Sequence, residues 1–359
     1  MKYQLKTRQI CLFFIAFMPI IKIFMLPSVV ASFADEDMWL STLINCALDI
    51  ITLSSIILVC KSANTTFIGL LESNFGKIGA KIVCALYCLV FILKSILPIN
   101  EQKDYVEFTL YTLLPTTFYF MPFFIIAFYF CTKKLNLLGR LADFSWVITL
   151  IGFFLLFTLS ISNADFLSIM PIGARGVGSI LKGSYASLPW FGDCVYLLFF
   201  IGEFKFKKKD GVKIIFSYLL GCLLVIAFMV IFYSIFTSIA HRQRFALTEI
   251  SKYTTVISNT GRFDYIGILL ILLSNVFALS VPLFFASKLL NYVCSFKKNW
   301  ISPLIVIGFH LFLALCLSKY FATIEKLIIG YGGIIFFLFS NLLPIFTIIL
   351  NKRRNKLCL

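Results

Sequence analysis

The chain has 359 residues, of which 60% are hydrophobic and 13% charged, and its mean hydropathy is +0.98. A water-soluble domain carries about 25% charged residues, so this composition excludes an aqueous globular fold and indicates a polytopic membrane protein. The net charge of +16 would suit nucleic acid, but the basic residues fall in short clusters between apolar runs, with no soluble domain to display them; they read as membrane topology, and no nucleic-acid partner is expected.

A crossing takes about 20 apolar residues. In chain order there are ten candidates, the fourth short and the eighth long: 9–33, 38–60, 79–100, 117–132, 141–161, 180–202, 212–238, 264–292, 301–318 and 330–350. The first lacks a small-residue cleavage site and exceeds a signal core, so it is expected to stay as a membrane helix. Between the second and third, "NTTFIGLLESN" reads either as a short amphipathic helix on the membrane surface or as a loop. Placing both termini in the cytoplasm puts most of the 32 basic residues inside, including Lys205, Lys207, Lys208, Lys209 and Lys213 and the tail cluster Lys352, Arg353, Arg354 and Lys356. The acids Asp35, Glu36 and Asp37 then form a short outer turn.

The expected fold is all-α: a single transmembrane domain over 1–359 with a first five-helix half at 9–161, a second at 180–350 and a cytoplasmic tail at 351–359. The halves begin on opposite sides, which is the pattern of a 5+5 inverted repeat, and such transporters interrupt corresponding helices near mid-membrane. Crossing one contains Pro19, Lys22 and Pro27; crossing six contains "LPWFGD", with Pro189, Gly192 and Asp193. Proline removes a backbone donor and glycine permits unwound geometry. Irregular backbone at membrane depth survives where it is buried or lines a cavity, so the two breaks mark the expected binding site.

Ionisable groups within apolar runs are costly and usually face a partner or a cavity. Lys22 and Asp193 lie on the two helices expected to cross; either they pair, or Lys22 snorkels or caps carbonyls of the break. Lys94 is close enough to the outer boundary to snorkel, with a role at the site as the alternative. Asp49, one turn after Asn45, reads as a polar contact between helices. Cys84 and Cys88 share a helical face without histidine or acid, and His241 and His310 are far apart, so the cysteines read as small apolar residues and no metal or other cofactor is expected. No HExxH and no nucleophile elbow is present, and the nearest candidate, "GRFD" at Gly261–Asp264, reads better as a helix-end anchor than as a catalytic pair.

Five stretches in fixed order carry a family resemblance: "LKTRQICLFF", "MLPSVVASFADEDMWLSTLI", "FTLYTLLPTTF", "SIMPIGARGVGSILKGSYASLPWFGD" and "ISNTGRFDYIGILLILLSN". They span essentially the whole chain, which resembles the spore germination permease family, the B subunit of nutrient germinant receptors in endospore-forming Gram-positive bacteria, within the amino acid–polyamine–organocation transporter superfamily. The resemblance implies a leucine-transporter-like fold and a non-enzymatic subunit of the inner spore membrane or plasma membrane. It further implies binding of a small nutrient, typically an amino acid, and work with an A-type subunit and a lipoprotein C-type subunit. An ion-coupled amino-acid transporter is the alternative on the same scaffold. Carried onto this chain, the ligand site would use Lys22, Phe24, Met25, Leu26 and Pro27 of crossing one. Tyr87 or Phe91 would come from crossing three, Leu188, Trp190, Phe191, Gly192 and Asp193 from crossing six, and Ser274 and Asn275 from crossing eight. In many members of the superfamily the first break is glycine-rich; "KIFMLPS" has no glycine and puts a lysine just before the break.

Overall fold

The computed structural model describes residues 5–62, 65–110, 116–252, 264–316 and 320–346. The tail at 351–359, residues 347–350 of the tenth expected crossing and most of the "GRFD" stretch lie outside them. Every regular element among the described residues is helical. In chain order they are α1 (Thr7–Ile20), α2 (Leu26–Ala34), α3 (Met38–Ser62), α4 (Phe67–Leu110), α5 (Thr116–Thr132), α6 (Leu135–Ser160) and α7 (Val177–Ser187). Then follow α8 (Tyr196–Phe200), α9 (Asp210–Phe236), α10 (Ala246–Lys252), α11 (Asp264–Cys294), α12 (Ile301–Cys316), α13 (Phe321–Leu327) and α14 (Gly333–Phe337).

Six helical stretches are long and apolar enough to cross a membrane: Leu26–Lys61, Phe67–Glu107, Leu135–Asn163, Asp210–Arg242, Ile266–Cys294 and Phe321–Phe346. Two of the other expected crossings are interrupted: crossing one ends α1 at Ile20, and crossing six is divided between α7 and α8. Crossings four and nine correspond to the apolar helices α5 and α12. The "NTTFIGLLESN" region becomes a helix from Phe67, set off from the rest of α4 at Gly76, whose φ of 73° and ψ of 173° interrupt the helical backbone.

Lipid exposure is written on the surface. Ile78, Ile82, Leu86 and Leu89 of α4, and Phe144, Val147, Ile151 and Phe154 of α6, are exposed apolar residues three or four positions apart. That spacing lays each set in one helical stripe, and stripes of this kind on a multi-helix surface suit a hydrocarbon solvent. The centre is the opposite: from Ile10 to Ile20 α1 is buried at every position except Leu12, so it runs through the interior rather than along the lipid. It packs against α6, α9 and α11, and α11 packs against α4.

Side-chain bonds fix the two ends of the bundle. At the end holding the N-terminal residues, Thr7 Oγ1 donates to Asp210 Oδ2 at 2.7 Å, Leu5 N–H to Glu203 O at 3.0 Å, and Arg8 pairs with Asp143 at 3.1 Å. At the far end Asp35–Asp37 forms a 3₁₀ turn between α2 and α3. There Asp35 pairs with Arg175, and Asp37 Oδ1 accepts the Gly173 N–H at 2.7 Å. The three acids thus act as the turn that the sequence suggests, and they also hold down the segment before α7.

Candidate functional site

Both interrupted helices are observed, and they differ in construction. α1 stops at Ile20, residues 21–25 form turns and bends, and α2 starts at Leu26. Pro27 lies in the first turn of α2, where a missing N–H removes no helical bond. It therefore sets the start of the second piece rather than kinking a continuous helix. In the second interruption α7 tightens into a 3₁₀ turn at Leu188–Trp190, Phe191 is extended (φ −99°, ψ −174°), and Gly192 is left-handed (φ 82°, ψ 23°) before the chain turns again at Asp193. Only glycine adopts that conformation readily, and a Cβ there would run into the Ser340 side chain.

Four ionisable side chains meet where the breaks cross. Lys22 Nζ pairs with Asp193 Oδ2 and donates to Met18 O at 2.9 Å. Lys94 Nζ pairs with Asp193 Oδ1 at 2.8 Å and donates to Phe191 O at 2.6 Å. Asp49 accepts the Gly192 N–H at 3.0 and 3.1 Å and the Tyr218 hydroxyl. Lys22 and Asp193 are completely buried, and Asp49 and Lys94 nearly so. The lysine ammoniums also face rings, Lys22 over Phe191 at 5.1 Å and Lys94 over Tyr196 at 5.7 Å from the centroids, which adds a cation–π attraction. Two lysines thus face two carboxyls, and each lysine also closes a backbone carbonyl freed by a break. Buried charges persist only with such pairing and hydrogen bonding.

Lys22 consequently does both things the sequence left open: it pairs with Asp193 and caps Met18. Lys94 departs from the snorkelling reading. Its helix continues to Leu110, well past the expected boundary at 100, so Lys94 is interior rather than near an end. It follows Tyr87 and Phe91 at helical spacing, a signal that it shares their inward face. Asp49 is the polar contact between helices that the sequence suggests, and its partners, Gly192 and Tyr218, bring it to the centre. The stripe Thr42, Asn45, Asp49 and Thr52 on α3 is the trace of this in the sequence, and Asn45 donates to Ser184 O at 2.8 Å and Ser187 Oγ at 2.7 Å on α7. Tyr218, within an apolar run, has no comparable signal.

On the N-terminal side of this centre lies an aromatic plug. Phe91 stacks on Tyr196 at 5.2 Å and meets Phe199 and Phe285 at 5.3 and 6.0 Å. Tyr87 meets Phe199 at 5.5 Å and donates its hydroxyl to Phe339 O at 3.2 Å. On the far side Phe24 packs on Tyr105 at 5.1 Å and Tyr105 on Phe245 at 5.8 Å, while Ala246 N–H donates to Phe24 O at 2.9 Å. Trp190 Nε1–H donates to Glu101 Oε1 at 2.9 Å, and Arg244 pairs with Asp104 at 2.9 Å. The centre is covered from both ends, so this is a closed conformation.

Phe24, Met25, Leu26, Leu188, Trp190, Phe191, Gly192 and Asp193 all lie on or beside the breaks, and Tyr87 and Phe91 lie in the plug below them. Ser274 and Asn275 are directed elsewhere: Ser274 Oγ bonds Thr149 Oγ1 of α6 at 2.6 Å, and Asn275 donates to Gln102 of α4. Glu101 and Lys94 of α4 both touch the second break; for Lys94 this is the alternative that the sequence offers, whereas Glu101 lies just past the expected end of its crossing at 100.

A family model described as spore germination protein matches residues 4–322. Among solved structures, the chain is similar to Mhp1, a nucleobase–cation–symport-1 family transporter in a closed conformation with bromovinylhydantoin bound. The TM-score is 0.55 and the identity 15%, over 94% of this chain and 79% of that one. The likeness shows a shared transporter fold. No curated protein matches the sequence significantly.

Proposed function

Since the chain belongs to the spore germination protein family, we propose that it is the permease-like subunit of a nutrient germinant receptor, with its ligand site where the two broken helices cross. The observation that carries this reading is the convergence of both breaks on Asp193, whose two lysine partners also hold the carbonyls of Met18 and Phe191. Backbone freed at membrane depth offers hydrogen-bonding groups to a small molecule. Trp190, Phe191, Phe24 and Met25 would supply apolar walls for a small nutrient, an amino acid in particular. A transporter that binds a small compound in the same fold supports a solute-sized site here.

In this reading the termini are cytoplasmic and the far end, with Asp35–Asp37, faces outward from the inner spore membrane or plasma membrane. The five-helix halves 9–161 and 180–350 act as the two moving units, and ligand binding favours one arrangement of them. The change would pass to an A-type and a lipoprotein C-type subunit. The test is the germination response of spores carrying Lys22→Ala or Asp193→Asn to a panel of amino acids: both variants should insert in the membrane and respond at higher nutrient concentrations than the parent. Unaltered responses from both, together with silent Trp190→Ala and Phe191→Ala changes, would place the ligand elsewhere. Concentrative uptake of a labelled amino acid by the purified chain in proteoliposomes would instead favour an ion-coupled transporter.

A further inference from the structure

Glu101 lies seven residues after Lys94 on α4, two turns further along the same face. Its side chain is buried, with the residue 1% exposed. Oε1 accepts the Trp190 indole N–H, whereas Oε2 is buried without a hydrogen-bond partner among the described residues. Both lysines of the buried centre are committed to Asp193 and to main-chain carbonyls. Arg244, which comes within electrostatic range of Glu101 from the segment before α10, is held by Asp104, and Lys103 turns toward Ala314 O and Asp104. Glu325 of α13 brings a second acid rather than a cation. The Met25 backbone amide at the first break faces the same carboxyl as a neutral donor and brings no charge. A buried carboxylate with no cation of its own costs several kcal/mol unless it takes up a proton or something positive completes it.

We infer that Glu101 receives the ammonium group of the ligand, so that the nutrient is an amine or amino acid rather than a neutral or purely anionic compound. This rests on the site reading above and adds the residue that takes the ligand's ammonium. The position suits the task. Glu101 touches the second break through Trp190 and lies against the first at Met25, so a cation bound there would join the two broken helices. The Trp190 bond holds Oε1 and leaves Oε2 for the incoming donor. The edge-to-face contacts of Phe24, Tyr105 and Phe245 and the Ala246–Phe24 hydrogen bond cover the site, which excludes water and strengthens a charge-assisted bond.

The experiment uses the full chain in lipid nanodiscs with methylammonium chloride as the probe and choline chloride, too bulky and without an N–H, at matched ionic strength. The thermal unfolding midpoint should rise saturably with methylammonium and not with choline. Glu101→Gln, which keeps an oxygen acceptor for the Trp190 indole, should lose the rise, and Glu101→Asp should keep it at higher probe concentration. No saturable rise in the parent overturns the inference without recourse to any variant, as does an equal rise in Glu101→Gln. A carboxylic-acid carbonyl band in the infrared that Glu101→Gln abolishes, with no methylammonium response, would identify a proton as the sole occupant and equally overturn it. Failure here alongside a germination defect in Asp193→Asn spores refutes the ammonium assignment alone; normal germination by the Lys22, Asp193, Trp190 and Phe191 variants refutes the site reading itself.

Discussion

The two broken helices solve one problem by different means. The second break is conformational: an extended Phe191 and a left-handed Gly192 turn the chain, and the Gly192 N–H is taken up by Asp49. The first has no glycine and no left-handed residue; it is a run of turns whose freed Met18 carbonyl is closed by the ammonium of Lys22. One break is thus held by backbone geometry and the other by charge, and Asp193, sitting next to Gly192, joins the two through Lys22. The difference teaches that the glycine absent from the first break is replaced by an ion pair reaching across from the second.

Removing the shared anion should do most to separate the breaks. Asp193→Ala leaves Lys22 and Lys94 buried without their counter-charge, and breaking a buried pair by deleting one partner costs about 3–5 kcal/mol. Denaturant unfolding in detergent should show a loss of that size, and Asp193→Ala combined with Lys22→Met should recover part of it. A neutral outcome for the single change would mean that the two breaks are independent.

Next in size is Gly192→Ala. A left-handed residue with a Cβ costs roughly 1–2 kcal/mol, and the new methyl also meets the Ser340 side chain. Shortening that neighbour, in Gly192→Ala with Ser340→Gly, should relieve the collision and leave the backbone cost. Full recovery in the double variant would show that crowding, not φ, demands the glycine.

How much of this could be seen in advance follows from the same contrast. Charges and helix breakers inside apolar runs are conspicuous, so Lys22, Asp193 and both interruptions were visible as local anomalies. Hydropathy alone ends the helix of Lys94 near 100 and so leaves its snorkelling open, while the structure carries it on through Pro98 to Leu110. Asp49 was visible as part of a polar stripe, but its partners, Gly192 on the second break and Tyr218 on α9, come from distant segments. Glu101 lies one residue past that expected end and belongs to the same continued helix. The family resemblance points to Ser274 and Asn275 on crossing eight, but their rotation toward α6 and α4 is a packing outcome that no local pattern encodes.

The smallest effect is expected at the residue that looks most disruptive in the sequence. Were Pro27 the cause of the first break, Pro27→Ala would let α1 and α2 fuse, withdraw Lys22 from Asp193 and cost as much as losing the ion pair. The structure puts Pro27 in the first turn of α2, after the break is complete, where its contribution is chiefly to restrict the unfolded chain, worth about 0.4–1 kcal/mol. Pro27→Ala should therefore lower stability by no more than that and leave the germination response of spores close to the parent's. A loss near that of Asp193→Ala would assign the first break to the proline and remove the reason for regarding Lys22 as its anchor.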